Sequence, residues 1–179
     1  MLTFKSMVTN IYLKPATNLL CYITSNMNLS KNFTLQEFIK SQTALRMDID
    51  NTPNDEHLAN AKKLFENVVQ NVRENFGPTV INSGYRGPEL NKAIGGSERS
   101  QHCKGEAVDI EVPGVSNYEV AEYIRDNLDF DQLILEFYTP GIPDSGWVHV
   151  SYKSEGNRKQ VLTALKEDGK TVYKPKLIA

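Results

Sequence analysis

The most constraining feature of the sequence is a change of periodicity at Gly77 and Pro78. Before this point, apolar residues recur at helical spacing from about Asp55 to Phe76 and form one continuous face. The members of this face are Leu58, Ala61, Leu64, Phe65, Val68, Val69, Val72 and Phe76. Gly77 followed by Pro78 is a typical end for such a helix. The helix must bury its apolar face against another layer, so we expect it to be scaffold.

After Pro78 the sequence changes to short strand patterns that are separated by turns. Strands are predicted over about 79–83, 107–112, 133–137 and 147–152. A helix is predicted between the second and third of these strands, over about 117–128. At the C-terminus, alternating residues on both sides of Asp168–Gly169 predict a β-hairpin.

Shorter helices flank the long one. Thr34 and Glu37 form a capping box that predicts a helix over about 34–40, and Pro88 opens a second short helix over about 89–94. Residues 41–54 are predicted to form a polar loop. Together these patterns indicate an α+β fold, in which helices pack on a small, mostly antiparallel sheet.

The patterns divide the chain into three regions. Residues 1–28 are an unassigned N-terminal extension, residues 29–152 carry the folded domain, and residues 153–179 form a hairpin tail that we expect to pack on the same domain. The extension has only short apolar stretches, which Pro15 interrupts, so no convincing signal peptide is predicted.

Charge and composition exclude some classes of function. The net charge of −2 argues against binding to nucleic acid by bulk electrostatic attraction. No run approaches the roughly 20 apolar residues that a membrane span requires. The two cysteines, Cys21 and Cys103, form no CxxC pair and no disulfide framework.

The three histidines are the residues most informative about chemistry. His102 lies in a predicted loop, Asp109 in the strand that follows, and His149 in a later strand between two valines. Each could be a packed residue. However, a carboxylate inside an apolar strand is costly unless it is paired or bound to metal. Two imidazoles and one carboxylate with an open fourth position are typical of a catalytic zinc site. His57 has no partner motif, and we expect it to be a packed or surface residue.

Two segments around these residues carry a family resemblance. Ser100 to Asp109, SQHCKGEAVD, resembles the SxHxxGxAxD motif of the zinc D-Ala-D-Ala peptidases, and Trp147-Val-His149 resembles their second motif, WxH. This family, peptidase family M15, includes D-Ala-D-Ala carboxypeptidases and phage L-alanyl-D-glutamate endopeptidases, and it shares the hedgehog/DD-peptidase fold. The segments INSGYRGPELNKAIGGS and FDQLILEF resemble a subgroup common in phage lysins and bacterial wall hydrolases.

The resemblance implies a role for each matched residue. It places Zn2+ on His102, Asp109 and His149, and it puts Arg86 beside a carboxylate or carbonyl of the substrate. Ser100 would shape the metal loop and contact substrate, and Trp147 would line the cleft. Because the ligand set is then complete, Cys103 is expected to be a non-ligand.

The resemblance is interrupted at the catalytic base. Many relatives carry an acidic residue three positions before the last histidine, but this sequence has Gly146 there. Two other acids could serve, Glu136 at the end of the apolar strand and Asp144 in the following loop. We predict Glu136, because an acid inside an apolar strand needs a reason to be there and desolvation would raise its pKa into a useful range.

The sequence therefore predicts a zinc metallopeptidase that hydrolyses peptide bonds of bacterial peptidoglycan. The bond could join L-Ala to D-Glu, join two D-Ala residues, or lie in a cross-bridge. The alternatives are an inactive wall-binding or virion structural module that keeps the metal fold and, less in keeping with Asp109, a metal-free regulatory domain. We expect a monomer without nucleic-acid or membrane partners, either cytoplasmic until its release as a phage lysin or associated with a virion.

Overall fold

The structure, a computed structural model, describes residues 27–178. The predictions for Cys21 and for residues 1–26 of the N-terminal extension lie outside the described residues. The described chain contains five helices, three before the main sheet begins and two between its strands. They are α1 (Leu35–Ile39), α2 (Gln42–Met47), the composite helix α3 (Asp55–Leu64, Phe65–Val69 and Gln70–Phe76), α4 (Pro88–Ala93) and α5 (Asn117–Asn127).

The strands form one main sheet and one small hairpin. The hairpin pairs β1 (Asn28–Ser30) with β2 (Phe33–Thr34). The main sheet contains β3 (Val80–Ser83), β4 (Ala107–Glu111), β5 (Gln132–Glu136), β6 (Trp147–Ser151), β7 (Gln160–Glu167) and β8 (Lys170–Pro175). Its order is β3-β4-β6-β5-β7-β8, and every neighbouring pair is antiparallel except β5 and β7. The predicted α+β fold with a mostly antiparallel sheet is confirmed.

The long helix α3 forms where the periodicity predicted it, with one local change. Its central segment, Phe65–Val69, is a π-helical turn, closed by the bond from the Gln70 amide to the Phe65 carbonyl. The wider turn rotates the apolar stripe, and Phe65, Val68 and Val69 are all fully buried. Each such side chain contributes roughly 1.5–3 kcal/mol through burial. The helix therefore anchors the core beneath the sheet.

The main sheet has two different faces because side chains alternate along each strand. The core face consists of residues that are fully buried in the same apolar cluster as α3 and α5, namely Val108, Ile110, Leu133, Leu135, Val148 and Val150. The cleft face carries the alternate residues of the same strands. Those that line a cleft are Asp109, Gln132, Ile134, Glu136, Trp147 and His149.

One predicted loop is wrong. Residues 41–54 contain α2, which begins where the Ser41 hydroxyl accepts a hydrogen bond from the Ala44 amide at 3.2 Å. It ends at Asp48, whose positive φ of 55° allows a left-handed cap. Leu45 and Met47 are exposed, so this helix buries no apolar stripe that a periodicity could show. Local capping, rather than burial, defines it.

The C-terminal hairpin is part of the main sheet. Asp168 and Gly169 both have positive φ, as a two-residue hairpin turn requires, and β7 pairs with β5 from Gln132↔Gln160 to Glu136↔Ala164. Among residues 27–178, no helix is both long enough and apolar enough to cross a bilayer.

Candidate metal centre

His102 is held by a 3-10 turn, Gln101–Lys104, that ends at Gly105. Gly105 has φ +70°, and a Cβ there would lie 2.2 Å from the His57 carbonyl oxygen, so only glycine fits. The buried imidazole of His102 donates from Nδ1 to the Gly84 carbonyl at 2.7 Å. This bond fixes the tautomer and leaves the Nε2 lone pair free for a metal ion.

Asp109 and His149 face each other across neighbouring strands. They are directly paired in the register of β4 and β6, and their side chains lie on the cleft face. His149 Nδ1 is 2.9 Å from Asp109 Oδ1. His102, Asp109 and His149 are only 2%, 8% and 7% exposed, so the three polar groups converge in a largely desolvated place.

The spacing of the three ligand atoms suits a metal ion. His102 Nε2 lies 3.2 Å from His149 Nδ1 and 3.3 Å from Asp109 Oδ1, and the third side of the triangle is 2.9 Å. Ligand bonds of about 2.0–2.1 Å at tetrahedral angles place the ligand atoms of zinc about 3.3 Å apart. The spacing of these two nitrogen atoms and one oxygen atom therefore fits a zinc ion. Within the described residues, no other group of His, Cys, Asp and Glu converges in this way.

The electrostatics of the cluster agree with a ligand role. Burial lowers the pKa of His102 despite the nearby Asp109, so the imidazole is neutral near pH 7, as a ligand must be. Burial alone would raise the pKa of Asp109, but contacts with His102 and His149 outweigh it and hold that pKa well below its usual range. The cluster thus offers the neutral imidazole of His102 and the ionised carboxylate of Asp109 to a metal ion.

The cluster lies in a cleft of about 590 Å³, a volume typical of ligand sites. Arg86, Ser100, Glu136 and Trp147 also line this cleft. Arg86 Nη2 is 3.4 Å from Asp109 Oδ2, the carboxylate oxygen turned away from the imidazoles. Its buried Nε has no hydrogen-bond partner among residues 27–178. A guanidinium held in this way has donors left for a ligand.

A sequence model of the peptidase M15 family matches residues 31–151. The chain belongs to the peptidase M15 family. The resemblance to this family is therefore confirmed, and the chain is assigned to a family of metallopeptidases. No curated protein matches the chain.

Gly146 occupies the position at which many M15 relatives carry an acid, and no side chain fits there. Gly146 has φ +66°, and a Cβ at this position would lie 1.9 Å from the Glu136 carbonyl oxygen and 2.7 Å from the carbonyl carbon of Phe137. Any side chain would therefore collide with the end of β5. The close approach explains why this M15 chain has glycine at position 146.

The two candidate bases lie in different places. Glu136 lines the cleft, directly opposite Trp147 in the register of β5 and β6, and its carboxylate makes no hydrogen bond to the part of the chain that the structure describes. Burial and the charge of Asp109 raise the pKa of Glu136. Asp144 borders a separate depression with Glu111 and Asn117. Of the two acids, only Glu136 shares the cleft with His102, Asp109 and His149, the group of side chains that we call the metal cluster.

Two further residues considered from sequence lie outside the cluster. His57 Nδ1 is 3.0 Å from the Tyr85 hydroxyl, and the backbone carbonyl of His57, not its side chain, packs against Gly105. Cys103 follows His102 but borders another depression, with Pro88 and Asn91. Neither side chain is one of the three converging ligands.

Sequence reasoning missed the cleft residues that come from the C-terminal part of the chain. Lys153, Arg158 and Tyr173 all line the cleft, although they follow the segment matched by the M15 family. The predicted hairpin contains Tyr173, but the pattern alone does not show which way its side chain faces. That direction depends on the parallel pairing of β7 with β5, which the sequence does not show.

Proposed function

We propose that this chain is a zinc-dependent peptidase that hydrolyses peptide bonds in bacterial peptidoglycan. The observation that supports the proposal most is the triangle of His102 Nε2, Asp109 Oδ1 and His149 Nδ1, with sides of 2.9–3.3 Å, at the floor of a cleft that also contains Glu136 and Arg86. Zinc held by these residues would supply Lewis acidity, which polarises a substrate carbonyl and makes water more acidic.

Glu136 is the general base in this proposal. Because the pKa of Glu136 is raised towards neutral pH, its carboxylate can both accept a proton and return it. Glu136 takes a proton from the attacking water and later passes it to the nitrogen of the leaving amine. Trp147 lies directly opposite Glu136 in the register of β5 and β6 and lines the same cleft.

Arg86 binds and orients the substrate. Asp109 Oδ2 holds one end of the guanidinium, and the remaining N–H groups donate to a carboxylate or carbonyl oxygen of the peptide. These donors also stabilise negative charge that develops on the carbonyl oxygen during attack. Ser100 and Trp147 shape the walls on either side of the metal cluster.

The charge of the cleft supports an anionic peptide as substrate. Five basic residues line it, against three acidic residues. The basic residues are Arg86, Arg99, Lys104, Lys153 and Arg158, and the acidic residues are Glu106, Asp109 and Glu136. A bound zinc ion would add further positive charge. Stem peptides of peptidoglycan carry several carboxylates, and the motif resemblance to wall hydrolases points to the same substrate class.

Digestion of purified peptidoglycan tests the proposal. The zinc-loaded protein should release new amino groups from the wall, a chelator should stop the release, and added zinc should restore it. Mass analysis of the products then identifies the bond that is cut. Protein that sediments with the insoluble wall yet releases nothing with zinc present would favour the alternative function, an inactive wall-binding module.

A further inference from the structure

The C-terminal segment completes the cleft from outside the region that the family model matches. The match ends at residue 151, whereas Lys153, Arg158 and Tyr173 line the same cleft as the metal cluster. Of these three, Lys153 and Arg158 both contact the buried carboxylate of Asp131. Tyr173 makes no side-chain hydrogen bond to the described part of the chain, and it is 54% exposed. Its phenol is therefore available to a ligand.

The register of the sheet places Tyr173 in one row with Glu136. Trp147 on β6 pairs with Glu136 on β5, Glu136 pairs with Ala164 on β7, and Ala164 pairs with Tyr173 on β8. Residues paired in this way project from the same face of a sheet. Ala164, between Glu136 and Tyr173, has the smallest side chain of the row, and both Glu136 and Tyr173 line the cleft.

The hairpin that carries Tyr173 is fixed on the domain. Beyond the pairing of β7 with β5, the Thr163 hydroxyl donates to the Lys176 carbonyl at 2.8 Å and accepts from the Ile178 amide at 3.0 Å. Asp131 holds the segment that leads into β7. Its carboxylate accepts hydrogen bonds from Arg158 Nε at 2.9 Å and from the Arg158 backbone amide at 3.3 Å. Tyr173 thus keeps a defined place relative to Glu136.

Strand spacing sets the length of substrate that would reach Tyr173. β8 lies two strands beyond β5, and neighbouring strands are about 4.8 Å apart, so the backbones of Glu136 and Tyr173 are about 10 Å apart. An extended peptide advances about 3.3 Å per residue. Arg86 lies on the opposite side of the metal cluster, next to β4. Counted from Glu136, which acts on the reacting bond in the proposed function, a peptide that crosses the strands from Arg86 reaches Tyr173 two or three residues farther on.

The phenol has the protonation state of a donor. Burial, together with the charge of Glu136, raises the pKa of Tyr173 above its ordinary value of 10.0. At neutral pH the hydroxyl therefore keeps its proton and can donate to a carbonyl or carboxylate oxygen, while the ring offers an apolar surface to the peptide.

We propose that Tyr173 determines specificity by binding the peptide substrate two or three residues from the bond that is cut, on the side away from Arg86. The inference rests on the proposed peptidase function and adds a distal subsite, formed by the C-terminal hairpin. It predicts that the chain prefers wall peptides that extend past the reacting bond over the shortest peptides that contain it.

The test compares Tyr173→Phe and Tyr173→Ala with the matched control Val172→Ala, whose side chain lies on the opposite face of β8. Substrates are stem peptides of two to five residues that share one cleavable bond. For the longest peptides, Tyr173→Ala should raise KM on the order of 10-fold with little change in kcat. The KM of Tyr173→Phe should lie between those of the wild type and Tyr173→Ala. The shortest peptides and the control should match the wild type within about twofold. Equal losses at every length, or the same loss in Val172→Ala, would overturn the inference.

A binding measurement separates this inference from the proposed function. The chain has one tryptophan, Trp147, and it lines the cleft, so its fluorescence reports peptide binding without turnover. The inference predicts weaker binding of long peptides, but not of short ones, in Tyr173→Ala. Length-dependent binding without hydrolysis would support the subsite and contradict the peptidase function. Affinities that are the same in wild type and Tyr173→Ala at every length would contradict the subsite.

Discussion

The two faces of the main sheet are built from alternate residues of the same strands and have opposite properties. On the core face, Leu135 and Val148 are fully buried among apolar neighbours. On the cleft face, Glu136 and His149, the next residues along the same strands, line a polar cleft. One face stabilises the fold by excluding water, and the other brings charged groups into a desolvated place at a cost to stability.

Because the two faces differ in this way, stability and chemistry can be changed separately in this protein. Leu135 and Glu136 are consecutive residues of β5, so substitutions at the two positions affect adjacent points of the same strand. We expect a change on the core face to alter the free energy of unfolding and a change on the cleft face to alter turnover. Substitutions on the two faces therefore test whether stability and turnover are separable.

Glu136→Gln should have the largest effect on turnover. The amide preserves shape but cannot accept the proton of water, so kcat should fall about 100-fold or more, with zinc content unchanged. Burial and the charge of Asp109 raise the pKa of Glu136, which means that the ionised group destabilises the fold at neutral pH. The variant should therefore unfold at an equal or higher denaturant concentration.

Asp144→Asn is the matched control for this variant, because Asp144 borders a different depression. It should change kcat less than about threefold. A large loss in Asp144→Asn together with full activity in Glu136→Gln would move the general base to the loop.

Leu135→Ala should have the largest effect on stability. The side chain is fully buried on the core face, so the substitution removes apolar contacts and leaves a cavity. The free energy of unfolding should fall by about 2–5 kcal/mol, measured by chemical denaturation. Turnover per folded, zinc-loaded molecule should stay within about twofold of the wild type. A loss of turnover comparable to that of Glu136→Gln would show that the two faces are not separable.

Asp131→Asn should have an intermediate, pH-dependent effect on stability. Burial alone would raise the pKa of Asp131, but bonds from Arg158 and Gln101 outweigh it and hold the pKa below its ordinary value of 3.8. The ionised carboxylate therefore stabilises the fold above about pH 4, and this contribution is lost as the pH falls below that value. At pH 7 the variant should be about 1–3 kcal/mol less stable, and the difference should shrink towards pH 2–3.

The control for this effect is the nearby Asp129→Asn. Asp129 is half exposed and pairs with Lys159 at 3.6 Å, so its loss should change stability by less than about 0.5 kcal/mol. If both variants behave alike, or if the effect of Asp131→Asn is independent of pH, then Asp131 does not anchor the segment that leads into the hairpin.

Arg86→Lys should have the smallest effect of the series. Lysine keeps the charge beside Asp109 but loses the planar fork that binds two oxygens at once. We expect kcat/KM to fall on the order of 10-fold, while zinc content and thermal stability stay unchanged. Kinetics identical to those of the wild type would mean that Arg86 serves only to pair with Asp109.

The sequence predicted the elements whose side chains repeat with a clear period. The helix around Val68 and the strands around Asp109 and His149 are of this kind, because burial of one face imposes the period. The helix α2 was missed because Leu45 and Met47 point to solvent. The π-helical turn at Phe65–Val69 keeps an apolar pattern that a regular helix would also show, so the sequence did not predict it.

The candidate site was only partly predictable for a different reason. The sequence motifs predicted His102, Asp109 and His149, and the structure brings their ligand atoms within 3.3 Å of one another. The reason for Gly146 depends on how closely its loop approaches the end of β5. The place of Tyr173 depends on a pairing between strands about 30 residues apart. Such long-range packing cannot be derived from local patterns.

Metal analysis of the purified protein tests whether His102, Asp109 and His149 together hold one zinc ion. We expect close to one zinc per chain in the wild type and in the controls His57→Ala and Cys103→Ser, whose side chains lie outside the cluster. We expect almost no zinc in His102→Ala and in His149→Ala, with both variants still folded by circular dichroism. Full zinc content in these two folded variants, or its loss in Cys103→Ser alone, would show that these three residues do not hold the ion.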